Sequence, residues 1–172
     1  MSDLIVENVS KSFDGKKIIE DISIEVHENE LVSLLGVSGG GKTTLFNVIS
    51  GLLMPESGHV YLDGEEITGR PGSVSYMLQK DMLLPYRTVE DNVALPLLIR
   101  GEKKKSAREK AGAYFAEFGL EGTQKKYPSQ LSGGMRQRAA LLRTYLFSDK
   151  MALLDEPFSA LDTLTKSAMH RW

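Results

Sequence analysis

A glycine-rich loop between an apolar run and a helical pattern constrains the fold of this chain more than any other feature. Residues 36–43 read GVSGGGKT; they follow the apolar run 31–35 and precede a helix predicted over 44–50. Glycine has no Cβ atom, so this loop can turn its backbone N–H groups inward around phosphate oxygens. A strand, loop and helix in this order predict a phosphate-binding loop on an α/β sheet. A glycine-rich structural turn is the alternative.

The side chains of the loop supply further groups that a nucleotide needs. Lys42 would place a positive charge at the β and γ phosphates, and the Thr43 hydroxyl can ligate Mg²⁺. We therefore expect the loop to bind a nucleotide together with Mg²⁺. The residues expected to contact the nucleotide are Gly36, Val37, Ser38, Gly39, Gly40, Gly41, Lys42, Thr43 and Thr44.

An acidic strand end offers the chemistry that a phosphate loop alone lacks. Residues 151–156 read MALLDE, an apolar strand that delivers Asp155 and Glu156. Side chains alternate along a strand, so the two carboxylates point in different directions. We assign Asp155 to Mg²⁺ and Glu156 to the attacking water as general base. The alternative is a solvated turn.

A second glycine pair opens a second predicted helix. Residues 131–138 read LSGGMRQR. Ser132 can cap this helix, while the following N–H groups and the helix dipole favour an anion. Two phosphate-facing surfaces in one chain suggest that two chains share each nucleotide. A capped helix start without a ligand is the alternative.

The order of sequence patterns predicts an α/β fold. Strands are predicted over 4–9, 18–26, 31–35 and 59–62, split by turns at 14–15, 28–29 and 63–64. Apolar residues then recur at helical spacing between 88 and 147, including Ala107, Ala111, Tyr114, Phe115 and Phe118. Residues 150–154 return to a buried parallel strand.

Composition excludes several classes of protein. The chain has 172 residues, 41% of them hydrophobic, with a net charge of −2 that gives no case for nucleic-acid binding. It has no cysteine, and its three histidines show no metal-ligand spacing. The N-terminus is not a signal peptide, and no apolar run approaches the ~18 residues of a membrane-spanning helix. We therefore expect a cytoplasmic protein whose membrane role would come through a partner.

The motifs resemble those of a known family. GVSGGGKTT, Gln79, LSGGMRQR, MALLDEP and SALD occur in the order and approximate spacing of the nucleotide-binding subunits of ATP-binding cassette (ABC) transporters. The resemblance implies a P-loop NTPase with a RecA-like core sheet, an antiparallel β subdomain and an inserted helical subdomain. It places the core at 1–78 and 149–172 and the helical subdomain at 79–148. It also implies ATP and Mg²⁺ as cofactors.

The resemblance assigns roles to positions outside the phosphate loop. Ser132, Gly133 and Gly134 would contact the γ-phosphate of ATP held by the partner in a head-to-tail dimer. Gln79 would touch the metal and the attacking water at the hinge between the core and the helical subdomain. Lys42, Gln79 and Glu156 are thus the expected catalytic residues, and Thr43, Gln79 and Asp155 the expected metal ligands.

Two further assignments keep an alternative. Phe13 occupies the position of an aromatic residue that stacks on adenine, and packing of a strand-end phenylalanine in the core is the alternative. Asp162, in SALD, matches a loop that couples the two active sites of the dimer. It could instead, or as well, cap the helix that follows.

The chain also departs from the family pattern. Position 37 is valine where many members have proline, and position 40 is glycine where serine is frequent. The family's switch histidine follows a further helix and strand, and His170 comes too early to take that role. The missing strand would leave a gap in the central sheet. We therefore expect a C-terminally incomplete subunit that binds nucleotide weakly by itself.

By resemblance, the function is ATP hydrolysis that drives a transporter. The expected partners are a second ATP-binding subunit, transmembrane permease subunits and a solute-binding protein, with the chain peripheral on the cytoplasmic face of the membrane. LSGGMRQR and LLPYRTVEDN look similar to importers of small anions or vitamin precursors, including the nitrate, sulfonate and taurine group. The expected docking surface is 79–92, exposing Leu83, Leu84 and Tyr86; core packing is the alternative for the two leucines.

Other classes of protein share parts of this pattern. A DNA-repair ATPase would insert a long coiled coil, for which 79–131 is too short and lacks heptads. A translation-factor ATPase would normally carry two cassettes in one chain. A degenerate nucleotide-binding regulator would have lost Lys42 or Glu156, and both are present.

Overall fold

The computed structural model describes residues 3–147 and 150–157 of the chain. The chain divides into two units, Met1–Ser75 and Tyr76–Trp172. Each unit has a buried apolar core of its own, and each is described separately below.

The first unit is built on a four-stranded antiparallel sheet. Its strands are β1 (Leu4–Phe13), β2 (Lys16–Val26), β3 (Ser57–Leu62) and β4 (Glu65–Glu66), in the order β2-β1-β3-β4. The hairpin turns at 14–15 and 63–64 have positive φ at both residues, which matches the twist of the strands they join. The predicted strands 4–9, 18–26 and 59–62 are therefore confirmed.

One helix accompanies this sheet within the first unit. Helix α1 (Lys42–Ile49) buries Leu45, Val48 and Ile49, which share one face at helical spacing. It begins at Lys42, two residues before the predicted start, and ends at Ile49, one residue before the predicted end. The predicted helix over 44–50 is confirmed, and its start positions the loop.

The predicted strand over 31–35 is wrong. These residues form no strand, and Leu31 and Leu35 are 90% and 94% exposed. A strand needs a neighbour for its N–H and C=O groups, and no strand of the first unit's described residues pairs with this run. Apolar composition alone therefore did not determine its conformation.

The second unit is mainly helical. It contains α2 (Val89–Val93), α3 (Leu95–Ile99), α4 (Lys104–Gly112), a short 3₁₀ helix (Pro128–Gln130) and α5 (Gly133–Tyr145). Two short strands, β5 (Ser75–Met77) and β6 (Ala152–Leu154), pair with each other, and the boundary between the units falls within β5. The predicted helical stretch is confirmed, and a strand is found at Ala152–Leu154, within the predicted 150–154.

The helices enclose an apolar cluster that includes Phe115, Leu120 and Leu142, all almost fully buried. The predicted helical spacing of Tyr114 and Phe118 does not extend α4, because the helix ends at Gly112 and the chain continues in turns. Glycine disfavours helix, and the N–H groups of Tyr114 and Phe115 donate to carbonyls three rather than four residues back. The side chains remain packed on the cluster despite this change.

The predicted exposure of the segment after Gln79 is partly wrong. Leu83 belongs to the buried cluster, whereas Leu84 is partly exposed and Tyr86 is 93% exposed. Core packing, the alternative for the two leucines, therefore holds for Leu83 only. Burial of this apolar side chain removes its surface from water and so stabilises the fold.

Candidate active site

The lysine of the phosphate loop closes the loop on itself. The ammonium Nζ of Lys42 donates hydrogen bonds to the carbonyl oxygens of Gly36 at 2.8 Å and Val37 at 2.9 Å. The N–H of Gly40 donates to the same Val37 carbonyl at 3.1 Å. The positive charge of Lys42 is thus held against the loop, where it can act on phosphate oxygens bound by the backbone.

A neighbouring strand requires glycine at position 41. Gly41 has a φ of 84°, and an added Cβ would lie 2.8 Å from the carbonyl oxygen of Ile18 and 2.9 Å from Cγ2 of Ile19. A larger residue would need both the left-handed conformation and a displacement of β2. This close approach fixes the start of α1 against β2 and so orients the loop.

The start of α1 suits an anion. Gly41 is its N-cap, and the first turn contains no acidic residue. The first N–H groups of a helix have no intrahelical acceptor, and the helix dipole is positive at this end. Thr43 is exposed and Thr44 half-buried in the first turn, next to the exposed loop residues 36–40. Backbone donors, a hydroxyl and Lys42 therefore occur together, as phosphate binding requires.

In the second unit, two acidic residues with different surroundings directly follow β6. Asp155 is 5% exposed, whereas Glu156 is exposed. The N–H of Asp155 donates to the carbonyl of Met77 at 3.0 Å, which continues the pairing of β5 with β6. The different burial of the two carboxylates agrees with the alternation expected from a strand.

The side chain of Glu156 is hydrogen-bonded to that of Gln79. Nε2 of Gln79 donates to Oε2 of Glu156 at 2.9 Å. Glu156 also has a φ of 52°, an uncommon conformation for a residue other than glycine that costs on the order of 1–3 kcal/mol and occurs preferentially at functional sites. The fold thus brings together two of the three residues predicted to be catalytic.

A half-buried tyrosine, Tyr76, borders the acidic strand end. Burial, with a smaller contribution from the charge of Asp155, raises the pKa of Tyr76 to about 12. The phenol is therefore neutral at physiological pH, and Asp155 keeps its buried position beside an uncharged ring. A carboxylate in such surroundings favours a nearby cation.

The predicted metal ligands fit Mg²⁺ by their chemistry. Thr43, Gln79 and Asp155 all offer oxygen, the donor that Mg²⁺ prefers. Within residues 3–147 and 150–157, no group of three or more His, Cys, Asp or Glu could hold a metal ion.

Ser132 begins the helix of the second glycine pair, as predicted. It is the N-cap of α5, and its Oγ accepts a hydrogen bond from the N–H of Met135 at 3.2 Å. Ser132 is exposed, and Gly133 and Gly134 are half-buried in the first turn. The capped start leaves this end of α5 accessible to an anion, without deciding between the two interpretations of the motif.

Phe13 does not pack in the core. Its side chain is 47% exposed at the end of β1, and the Nζ of Lys11 lies 5.7 Å from the centre of its ring. The alternative of a strand-end core phenylalanine is therefore wrong. Stacking on adenine remains a prediction.

The remaining predictions fall elsewhere in the chain. Asp162 and His170 lie outside the described residues. His27 and His59 are surface residues, each with a ring nitrogen next to a carboxylate: Asp3 at 3.3 Å and Glu66 at 2.7 Å.

Sequence reasoning missed three polar residues that hold the segment after Gln79. Asn92 is fully buried, and Arg136 and Arg143 lie on α5 with their guanidinium groups directed to that segment. A usable signal was present, because Asn92 and Arg143 stand among buried apolar positions of their helices. A polar group at such a position requires a specific partner.

Together, the loop, the capped second glycine pair and the acidic strand end define a nucleotide-binding protein of the P-loop class. The family model described as "ABC transporter" matches residues 19–159. The chain therefore belongs to the ABC transporter family. The family match confirms the resemblance seen in the motifs.

Individual relatives refine this placement. The chain is 47% identical to the formylaminopyrimidine import ATP-binding protein ThiZ of Halalkalibacterium halodurans, with 98% of this chain and 66% of the relative covered. It is 40% identical to the taurine import ATP-binding protein TauB of Escherichia coli O157:H7, with 96% and 65% covered. The chain thus spans about two thirds of the length of these relatives.

A solved structure confirms the fold class. The dimeric ATP-binding cassette MJ0796, in a post-hydrolysis state bound to ADP and Pi, superposes with a TM-score of 0.85 at 28% identity, with 98% of this chain and 80% of that chain covered. The mixed α/β P-loop NTPase fold with an antiparallel sheet and helices is therefore confirmed. No helix in the described ranges is long and apolar enough to cross a membrane.

Proposed function

We propose that this protein is the ATP-binding and ATP-hydrolysing subunit of an ABC importer. The contact between Gln79 and Glu156 carries the proposal, because it places an amide beside the carboxylate expected to activate water. A regulator that only binds nucleotide would not need this pair. The relatives named as import ATP-binding proteins support import over the translation-factor and DNA-repair alternatives.

The proposed chemistry divides between the two units. In the first, the N–H groups of residues 36–43, the start of α1 and Lys42 bind the phosphates of ATP. In the second, Glu156 accepts a proton from the attacking water while Gln79 orients that water. When bound at Thr43, Asp155 and Gln79, Mg²⁺ would neutralise charge on the phosphate oxygens. Phe13 offers a ring for the adenine.

A second copy of the chain would complete each site. Ser132, Gly133 and Gly134 of one subunit contact the γ-phosphate of ATP held by the other, since a capped helix start favours an anion. ATP binding closes the pair and hydrolysis reopens it. Asp162 couples the two sites. The dimeric form of the MJ0796 cassette supports a paired arrangement.

The proposed cellular role follows from this cycle. Permease subunits convert closure and reopening into transport, a solute-binding protein delivers the cargo, and the protein lies on the cytoplasmic face of the membrane. The relatives are named for formylaminopyrimidine and taurine, which supports a small anion or a vitamin precursor as cargo. We also retain the assignment of 1–78 and 149–172 to the core and of 79–148 to the helical subdomain.

The hydrolytic assignment can be tested in the full-length protein that contains this chain. Glu156→Gln should lower kcat for ATP about 10²- to 10⁴-fold, the usual contribution of a general base, while ATP binding is retained. Glu121→Gln, at an exposed position of the same unit, is the matched control and should change neither quantity. Unchanged hydrolysis in Glu156→Gln, or a wild-type protein that does not bind ATP, would overturn the proposal.

A further inference from the structure

The segment that follows Gln79, residues 80–84, is held by an arginine of α5, the helix that Ser132 caps. Arg143 donates from Nη2 to the carbonyl of Asp81 at 2.7 Å and from Nη1 to the carbonyl of Met82 at 2.9 Å. Burial lowers the pKa of Arg143 below its ordinary value, but arginine starts so high that it stays charged at physiological pH. Two carbonyl groups of residues 80–84 thus share one half-buried charged donor.

A second arginine of α5 connects the same segment to the start of the helix. Nε of Arg136 donates to Oδ2 of Asp81 at 3.1 Å, and its Nη1 donates to the carbonyl of Leu131 at 2.8 Å. Leu131 directly precedes Ser132, the N-cap that is proposed to face the partner's ATP. The guanidinium of Arg136 therefore links the N-terminal end of α5 to the segment after Gln79.

The conformation of the segment depends on these contacts. Met82 has a φ of 47°, a left-handed conformation that a non-glycine side chain adopts at a cost of roughly 1–2 kcal/mol. The other carboxylate oxygen of Asp81, Oδ1, accepts the N–H of Leu83 at 3.1 Å. Strained backbone of this kind persists only where its surroundings determine it, and here α5 supplies most of the donors.

We propose that Arg136 and Arg143 are positioning residues that act through Gln79. They hold residues 80–84 to α5 and so set the point at which the Gln79 amide meets Glu156. A shift of α5 on engagement of Ser132 would move this segment with it. The inference rests on the proposed roles of Gln79 and Glu156 in hydrolysis.

A double-mutant cycle in the full-length protein, assembled with its permease, tests this inference. Arg143→Met should lower kcat about ten- to hundredfold through misplacement of Gln79, while ATP affinity changes less than about twofold. In a Gln79→Ala background the same substitution should change kcat less than about twofold, because the residue through which it acts is gone. Arg143→Lys, which keeps a charged donor, should recover part of the loss.

The matched control is Arg138→Met on the same helix. The Nη2 of Arg138 donates to the carbonyl of Gly119 at 3.4 Å, and within the described part of the chain Arg138 makes no hydrogen bond to residues 80–84. This variant reports the cost of removing a guanidinium from α5 and should leave kcat within about twofold of wild type.

Several results would overturn the inference. The first is an equal loss of kcat in Arg143→Met and Arg138→Met. The second is a loss of kcat in the Arg143→Met, Gln79→Ala double variant that equals the sum of the two single losses in free energy. The third is an unchanged kcat in Gln79→Ala itself. In each case the hydrolytic role of Glu156 would stand if Glu156→Gln had abolished turnover, so the two proposals fail separately. If Arg143→Met does not fold, Arg136→Met completes the same cycle, because Arg136 contacts Asp81 of the same segment.

Discussion

The buried side-chain amide of Asn92 holds both backbone polar groups of Leu84. Oδ1 of Asn92 accepts the N–H of Leu84 at 2.6 Å, and Nδ2 donates to the carbonyl of Leu84 at 3.1 Å. The same Nδ2 also lies within hydrogen-bond distance of the carbonyls of Arg87 and Thr88. One side chain in α2 thus satisfies the backbone that leads from Gln79 into the helical core.

Replacement of Asn92 should therefore be costly. Asn92→Ala would leave the part-buried N–H of Leu84 and several carbonyls without this partner, and we expect a loss of about 2–4 kcal/mol in the free energy of unfolding. Urea denaturation of the full-length protein measures the loss. Asn47→Ala, at a half-buried position of α1, should cost less than about 1 kcal/mol. Equal losses in both variants would contradict this account of Asn92.

The ion pair between Asp91 and Arg108 should make stability depend on pH. Both guanidinium contacts, Nε to Oδ1 and Nη2 to Oδ2, measure 2.8 Å. The hydrogen bond from Arg108 lowers the pKa of Asp91 below its ordinary value. The ion pair therefore contributes to the free energy of unfolding above the pKa that Asp91 has in the unfolded chain, about 3.9. This contribution is lost as the pH falls through the lower pKa of Asp91 in the folded protein.

Asp91→Asn should cost about 1–2 kcal/mol at pH 7. The difference from wild type should shrink between about pH 5 and pH 3, as measured by denaturant unfolding at each pH. In an Arg108→Met background Asp91→Asn should cost less, because only the longer contact to Lys104, at 3.6 Å, remains for the carboxylate. A difference that stays constant down to pH 3 would rule out the ion pair as its source.

Gly41 should tolerate alanine less well than an equally strained glycine elsewhere. Gly41→Ala adds a Cβ that meets the Ile18 carbonyl oxygen at 2.8 Å, whereas Gly64, with a φ of 78°, has nothing within 4 Å. We expect Gly64→Ala to cost about 1–2 kcal/mol from backbone conformation alone, and Gly41→Ala to cost more. Chemical denaturation without nucleotide compares the two. A smaller destabilisation by Gly41→Ala than by Gly64→Ala would mean that β2 can shift to accommodate the added Cβ without loss of stability.

Two substitutions of Ser132 distinguish its role as a helix cap from its proposed role in ligand binding. Ser132→Ala removes the acceptor for the Met135 N–H and should destabilise the protein by about 1 kcal/mol. Ser132→Asp preserves the cap, so stability should be retained, but it places a negative charge where a γ-phosphate is expected to bind. ATP-dependent dimerisation should therefore fail in Ser132→Asp. Unimpaired dimerisation in that variant would favour the interpretation of a capped helix start without a ligand.

Features that depend on neighbouring residues were predictable. The hairpin turn at Asp14 and Gly15, the start of α1 after Gly41 and the cap at Ser132 all follow from local backbone preferences, and each is found in the structure. The strand over 31–35 was mispredicted because strand formation needs a pairing partner that a local pattern does not contain. Leu83 was misassigned because burial depends on the elements that surround it.

The amino-acid sequence by itself determined the class of protein, the family and the residue types of the phosphate loop, since motif order and glycine content are properties of the linear chain. Only the tertiary structure decided which side chains meet. Gln79 reaches Glu156 across 77 positions, and Arg143 reaches Asp81 across 62. Hydrogen bonds need their atoms within about 3 Å and aligned, and only the folded chain brings these distant residues into that geometry.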